Sequence, residues 1–163
     1  MTVAALTQKM IDYSHGNLHD IAHFLKVWAY AKTIGEQEGL DPETQKTVEI
    51  AALVHDIACP LCREKYGSTI HKRQEEEGMP LTASFLADSG LPQPMIDRIV
   101  YLVGHHHTLT DVEGLDYRIL LEADFLVNAE ESCCGLEKIE NGLRVIFRTP
   151  TGTRLLKSIY QLP

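Results

Sequence analysis

The chain has 163 residues, 44% of them apolar and 23% charged, with a formal net charge of −8. That length fits one domain, residues 1–163, around a single sizeable core, and the acidic balance disfavours nucleic acid as a partner of the surface as a whole. No run of about 18 apolar residues is present, so no membrane span is expected. The start, MTVAALTQKM, lacks the basic-then-apolar order of a secretory signal, which makes the cytoplasm the expected compartment of a soluble protein.

Helical periodicity dominates the chain, and no alternating strand pattern appears, so the expected fold class is an all-α bundle of six to eight helices. The first helix spans Val3 to Tyr13 and is broken by SHGN. The second runs from Leu18 to Glu38 and is ended by Gly39. DPET then opens a third, with Asp41 as N-cap and Pro42 in the first turn, which continues to Ala58 and stops at Pro60. CPLCREKYGSTIHKRQEEEGMP has no apolar stripe and is expected to be mostly loop. PLTASFLADSG and PQPMIDRIVYLVGHHH are helical, TLTDVEG is a loop, and LDYRILLEADFLVNAEES is a strong helix. Two further helices, within 135–162, are expected to pack on a core formed by residues 18–128.

The cysteines are Cys59, Cys62, Cys133 and Cys134. A zinc ribbon needs a second CxxC, and a thioredoxin-like motif needs a βαβ context; neither is present. Free thiols in a reducing compartment are expected, with a redox-sensitive Cys59–Cys62 pair as the alternative.

The tetrapeptide HDIA occurs twice, at His19–Ala22 and at His55–Ala58. The second copy ends an almost wholly apolar helix, so His55 and Asp56 should be buried, and an ionised carboxylate there requires a cation or donors. The first copy lies where a helix begins. Asp20 suits the first turn, where it meets the positive end of the dipole, and His19 is expected near the surface. His23, one turn on, projects from the apolar stripe of Val27, Tyr30 and Ile34. Asp124 likewise sits among Leu120, Leu121 and Val127. Three helices thus place a His or Asp where the pattern calls for a hydrophobe. Two histidines and two aspartates suit a divalent transition metal. The bland alternative is a buried hydrogen-bonded network, in which the two aspartates would repel.

The order His23, His55-Asp56, Asp124 resembles the H…HD…D signature of the HD-domain phosphohydrolase superfamily. The flanks IAHFLKVWAYA, AALVHDIA and LLEADFLVN resemble its ligand helices, so the likeness covers roughly Leu18 to Asn128. The resemblance implies metal-dependent hydrolysis of phosphate esters, often of nucleotides. It gives ligand roles to His23, His55, Asp56 and Asp124, for one or two ions of manganese, iron, magnesium, nickel, cobalt or zinc. Branches with two ions use extra histidines. VGHHHT supplies His105, His106 and His107 near that place, whereas the stretch corresponding to H-x-P-x-G-A reads EGMPLT and puts Glu77 there.

In the expected mechanism a metal-activated water attacks phosphorus. Asp56 orients or bridges, and a histidine of the run, with His106 the named candidate, or Lys65 stabilises the leaving oxygen. Lys65 and Tyr66, with Arg63, are candidates to grip the phosphate, and His71 and His15 are expected at the surface without partners. A small phosphorylated substrate is the expected partner, with a second copy of the chain left open and neither nucleic acid nor membrane expected. Two other readings stay open: a di-iron oxygenase using Glu77 with His106 or His107, and a nucleotide-binding sensor without turnover.

Overall fold

The computed structural model describes residues Met1–Pro163, all helix and connection. The helices are α1 Val3–Tyr13, α2 Leu18–Glu38, α3 Pro42–Val54, α4 Cys59–Tyr66, α5 His71–Leu86, α6 Gln93–Val103, α7 Leu115–Glu131, α8 Leu136–Val145 and α9 Pro150–Tyr160. The eight helices expected from periodicity are present, and α4 is added to them.

Local chemistry explains the ends. The Asn17 side chain accepts from the Asp20 N–H at the start of α2, and Asp41 accepts from Glu43 and Thr44 at the start of α3. Each satisfies N–H groups that a helix leaves without partners. Gly39 ends α2 in the left-handed conformation, φ 73°, and the N–H of Leu40 reaches back to the Gly35 carbonyl. Only glycine takes that conformation without steric cost.

Helix α3 is central. Every residue from Thr47 to Val54 is buried, and the helix packs against α1, α2, α6 and α7. A stretch buried on all sides, as Ile50–Val54 is, must be surrounded by other helices, and truncating Leu53 to alanine there would cost about 2–5 kcal/mol. Helix α7 lies beside α2 and α3, so α2, α3 and α7 pack together as one layer. Helix α9 closes over α2 and α7. The fully buried Glu122 of α7 ties down its start by accepting from the N–H groups of Arg148 and Thr149 and from the Thr149 hydroxyl. No helix is long and apolar enough to cross a membrane.

The segment expected to be mostly loop is instead two helices. Arg63, Glu64, Lys65 and Tyr66 lie exposed on α4, which offers little apolar surface, and Cys59 and Cys62 are its buried contacts. In α5 the buried residues Gln74, Gly78 and Thr82 recur every fourth position. This face is small or polar until it reaches Leu86, beside Phe85, so hydrophobic periodicity registers the second half of the helix and not the first. Gly78 permits the close approach of α5 to α6: a Cβ there would stand 2.9 Å from Val103 Cγ1.

Candidate metal centre

The two histidines expected to share a metal meet at the bundle's interior. His23 Nε2 and His55 Nε2 are 3.2 Å apart. Asp124 Oδ1 lies 3.3 Å from the first and 3.4 Å from the second, and Asp56 Oδ2 lies 3.4 Å and 3.6 Å from them. One atom each from α2, α7 and the residues just after α3 therefore crowds around a common point. His55 is fully buried, His23 and Asp124 nearly so, and Asp56 reaches into an open cleft with 28% of its side chain exposed.

Hydrogen bonds to the other ring nitrogens decide what this cluster can do. His55 Nδ1 stands 2.8 Å from the Ala52 carbonyl and His23 Nδ1 stands 2.8 Å from a Glu131 carboxylate oxygen. Both partners only accept, so each Nδ1 carries the proton and each neutral ring presents a bare Nε2 lone pair to the centre. Two lone pairs facing at 3.2 Å beside two carboxylates repel unless a cation lies among them. Without a metal, protons must serve. Burial works to lower the pKa of His23, but the Asp124 hydrogen bond and the charges of Asp56 and Asp124 outweigh it and raise it to about 9. His55 is raised as well, against its burial, chiefly by Asp56 and Asp124. Burial would raise the carboxyls of Asp56 and Asp124, yet the facing histidines hold both well below the usual carboxylate range.

The donor set fits a divalent ion. Bonds of about 2.0–2.2 Å from nitrogen and oxygen to one centre put neighbouring ligand atoms about 3–3.5 Å apart, against 3.2–3.6 Å between these groups. Each ligand is also oriented from behind, as metal ligands are. Glu131 holds His23, the last turn of α3 holds His55, and Asn128 donates to Asp124 Oδ1 at 2.8 Å.

A second group lies alongside. Asp56, His106 and His107 each bring a ligand atom within 4.8 Å of the others. His106 is buried at the end of α6, where its Nδ1–H donates to the Val103 carbonyl at 2.6 Å. Its Nε2 is buried without a hydrogen-bond partner, 3.4 Å from Asp56 Oδ1. His107 faces Gln74. The amide of Gln74 donates to the Thr69 carbonyl, so its oxygen accepts from His107 Nε2 at 3.0 Å and leaves His107 Nδ1 bare. Burial, then the neighbouring His106, pushes His107 down to about 3, so it is neutral. Asp56 belongs to both groups, one carboxylate oxygen toward each.

His23, Asp56, His106, His107 and Asp124 line a cleft of about 500 Å³, with His55 buried behind them. His71 and Gln74, which sequence reasoning did not place here, are part of its wall, and His71 stacks on His107 with ring centres 3.7 Å apart. Glu131 was also missed. The signal for it was present: Asp124, Asn128 and Glu131 repeat at the i, i+4, i+7 spacing of one helix face. His105 turns away, its Nδ1–H donating to the Tyr101 carbonyl.

Three expected residues lie elsewhere. Glu77 is outside the cleft lining, where its carboxylate accepts from Lys65 at 2.6 Å and from Tyr66 at 2.5 Å. Glu77, Lys65 and Tyr66 thus pair with one another outside the cleft lining. The cause is helical phase. Cys59 and Arg63, four residues apart on α4, face the cleft, so Lys65 and Tyr66, rotated by about 100° per residue, face α5. Their charges cancel there: Glu77 raises the Lys65 pKa, and Lys65 lowers that of Glu77. His15 also lies outside the cleft lining. All four cysteines are free thiols, and burial pushes up both Cys59 and Cys62.

The family model of the HD domain matches residues 18–136. A crystal structure of a predicted HD superfamily hydrolase from an uncultured Thermotogales bacterium, at 1.45 Å resolution, has a similar fold, with a TM-score of 0.67. It is 23% identical in sequence, and the match covers 98% of this chain and 83% of that one. No curated protein matches the chain.

Proposed function

The chain belongs to the HD-domain family, and from that premise we propose that it is a metal-dependent phosphohydrolase. Its substrate is a small phosphate ester, with nucleotides the first class to test. One observation carries the reading: two histidine Nε2 atoms 3.2 Å apart, both flanked by the same two carboxylates, at the floor of a cleft open to small molecules. That arrangement is unfavourable as a packing device and favourable around a cation.

A divalent ion at such a site supplies Lewis-acid chemistry, polarising a phosphoryl oxygen and acidifying a nearby water. The chain's own residues do the rest. His23, His55 and Asp124 form the buried, fixed side of the centre, oriented by Glu131, Ala52 and Asn128. Asp56, partly exposed, stands where a substrate's reacting group meets the centre and can orient an attacking water through its second oxygen. His106 and His107, both with a bare ring nitrogen, give the cleft a second anchoring point next to Asp56. Located there, His106 can take up a second ion or steady a leaving oxygen. The oxygenase reading drew on Glu77 as its carboxylate, and Glu77 is engaged with Lys65 and Tyr66 outside the cleft.

The direct assay is phosphate release from nucleoside monophosphates with added manganese, for the wild type and for Asp56→Ala. The expected result is activity in the wild type alone. Equal rates in both would end the reading, and tight nucleotide binding without turnover would favour a sensor.

A further inference from the structure

A phosphate ester carries negative charge, and the cleft it must enter is lined by Asp20, Asp56, Asp124 and Glu131. A metal held by Asp56 and Asp124 would offset their charge at the floor but not that of Asp20 at the wall formed by α2 and α4. Among the lining residues Arg63 is the one with a fixed positive charge. It sits one turn after Cys59 on the cleft face of α4, and 42% of its side chain is exposed.

The way Arg63 is held distinguishes it from a structural arginine. One terminal nitrogen donates to Asp20 Oδ2, and the side chain makes no other hydrogen bond within the chain. Four of its five N–H donors are thus available. Arg98 shows the contrast: its guanidinium clasps both oxygens of the nearly buried Asp116, at 2.8 Å and 2.7 Å, and the Glu113 carbonyl at 2.8 Å. Asp20 also does not depend on Arg63. It accepts from Asn17 Nδ2 at 3.0 Å and has His19 Nδ1 at 3.6 Å, so it stays partnered when the arginine leaves.

We propose that Arg63 grips the phosphoryl group of the substrate, and that Asp20 holds it parked at the cleft wall until an anion arrives. This rests on the phosphate-ester reading above. A planar guanidinium with free donors matches phosphate oxygens in pairs, which a lysine ammonium does not. Asp20 is then a positioning residue: it keeps the arginine extended toward the cleft and competes weakly with the substrate.

The test is calorimetric binding of inorganic phosphate to the manganese-loaded full chain, in wild type, Arg63→Gln, Arg63→Lys and Asp20→Asn, with thermal unfolding of each as a fold control. Arg63→Gln should weaken phosphate binding by roughly 10–100-fold, the strength of paired charge-assisted hydrogen bonds, with Arg63→Lys in between. Asp20→Asn should tighten it by about two- to fivefold, the strength of an exposed ion pair. Both substitutions break the same pair, so opposite signs separate a grip from a brace. If both weaken binding alike, the pair only ties α2 to α4 and the proposal fails. If Arg63→Gln matches a wild type that binds phosphate, the proposal fails while the phosphohydrolase reading stands. If the manganese-loaded wild type binds no phosphate, that reading itself fails, and the role of Arg63 with it.

Discussion

The same four residues, His-Asp-Ile-Ala, occur in two places in this bundle and meet different fates. At 19–22 they form the first turn of α2: His19 is largely exposed, with 72% of its side chain in solvent, and Asp20 pairs with Arg63 at the cleft wall. At 55–58 they follow the buried C-terminal half of α3. His55 is fully buried with its Nδ1–H capping the Ala52 carbonyl, and Asp56 faces two histidine clusters. The motif carries no chemistry by itself. A helix C-terminus inside the core supplies unpaired carbonyls, and a histidine placed there spends Nδ1 on a carbonyl and must aim Nε2 inward. His106, at the end of α6, repeats the device with the Val103 carbonyl. A helix N-terminus at the surface offers N–H groups instead, so a carboxylate there is stabilised without a metal.

The contrast can be sharpened by attacking what holds each copy, and the His23 that completes the buried centre, in its role. The largest effect is expected from Glu131→Gln. Glu131 braces His23 from behind without facing the centre, and loss of such a partner costs about 10–100-fold in metal affinity. A manganese titration of this variant should show that drop with unchanged helical content. An unchanged affinity would mean that His23 needs no orientation.

Proton competition comes next. With its pKa raised to about 9 by Asp124 and Asp56 against the pull of burial, His23 carries a proton at neutral pH when no metal is bound. Metal must displace it. Below about pH 9 manganese affinity should therefore fall by up to about tenfold per pH unit for each proton displaced, and level off above it. Calorimetry at pH 7 in buffers of differing ionisation enthalpy should register proton release on binding. Proton uptake or none would contradict the assignment.

The smallest effect belongs to the surface copy. Asn17→Ala removes the N-cap of α2 and a hydrogen bond to Asp20. It should cost about 1 kcal/mol in denaturant unfolding and leave manganese affinity unaltered. A loss of metal would show that the two copies are not separate in role.

Much of this was legible in the chain. Caps and glycines marked α1, α2 and the start of α3, because a few side-chain contacts set those ends. His23, His55, Asp56 and Asp124 stood out because each interrupts an apolar stripe. What escaped notice had no such background. The first half of α5 buries Gln74 and Gly78 rather than hydrophobes, so neither its start at His71 nor the place of His71 and Gln74 in the cleft registers in the pattern. Glu77 was placed at the site by its position in a pattern, and the phase of α4 and α5 instead points it at Lys65 and Tyr66. Side-chain direction on short helices depends on how they pack, and a sequence pattern records that only through buried apolar residues.

The central claim is that His23, His55, Asp56 and Asp124 surround a cation. Elemental analysis of freshly purified protein tests it most directly, carried out on the wild type, His19→Ala and His55→Ala after incubation with manganese and removal of the excess. At least one equivalent of a divalent transition metal is expected in the wild type and in His19→Ala, and a loss of most of it in His55→Ala. A wild type that retains no metal, or a His55→Ala variant that retains as much as the wild type, would contradict the account.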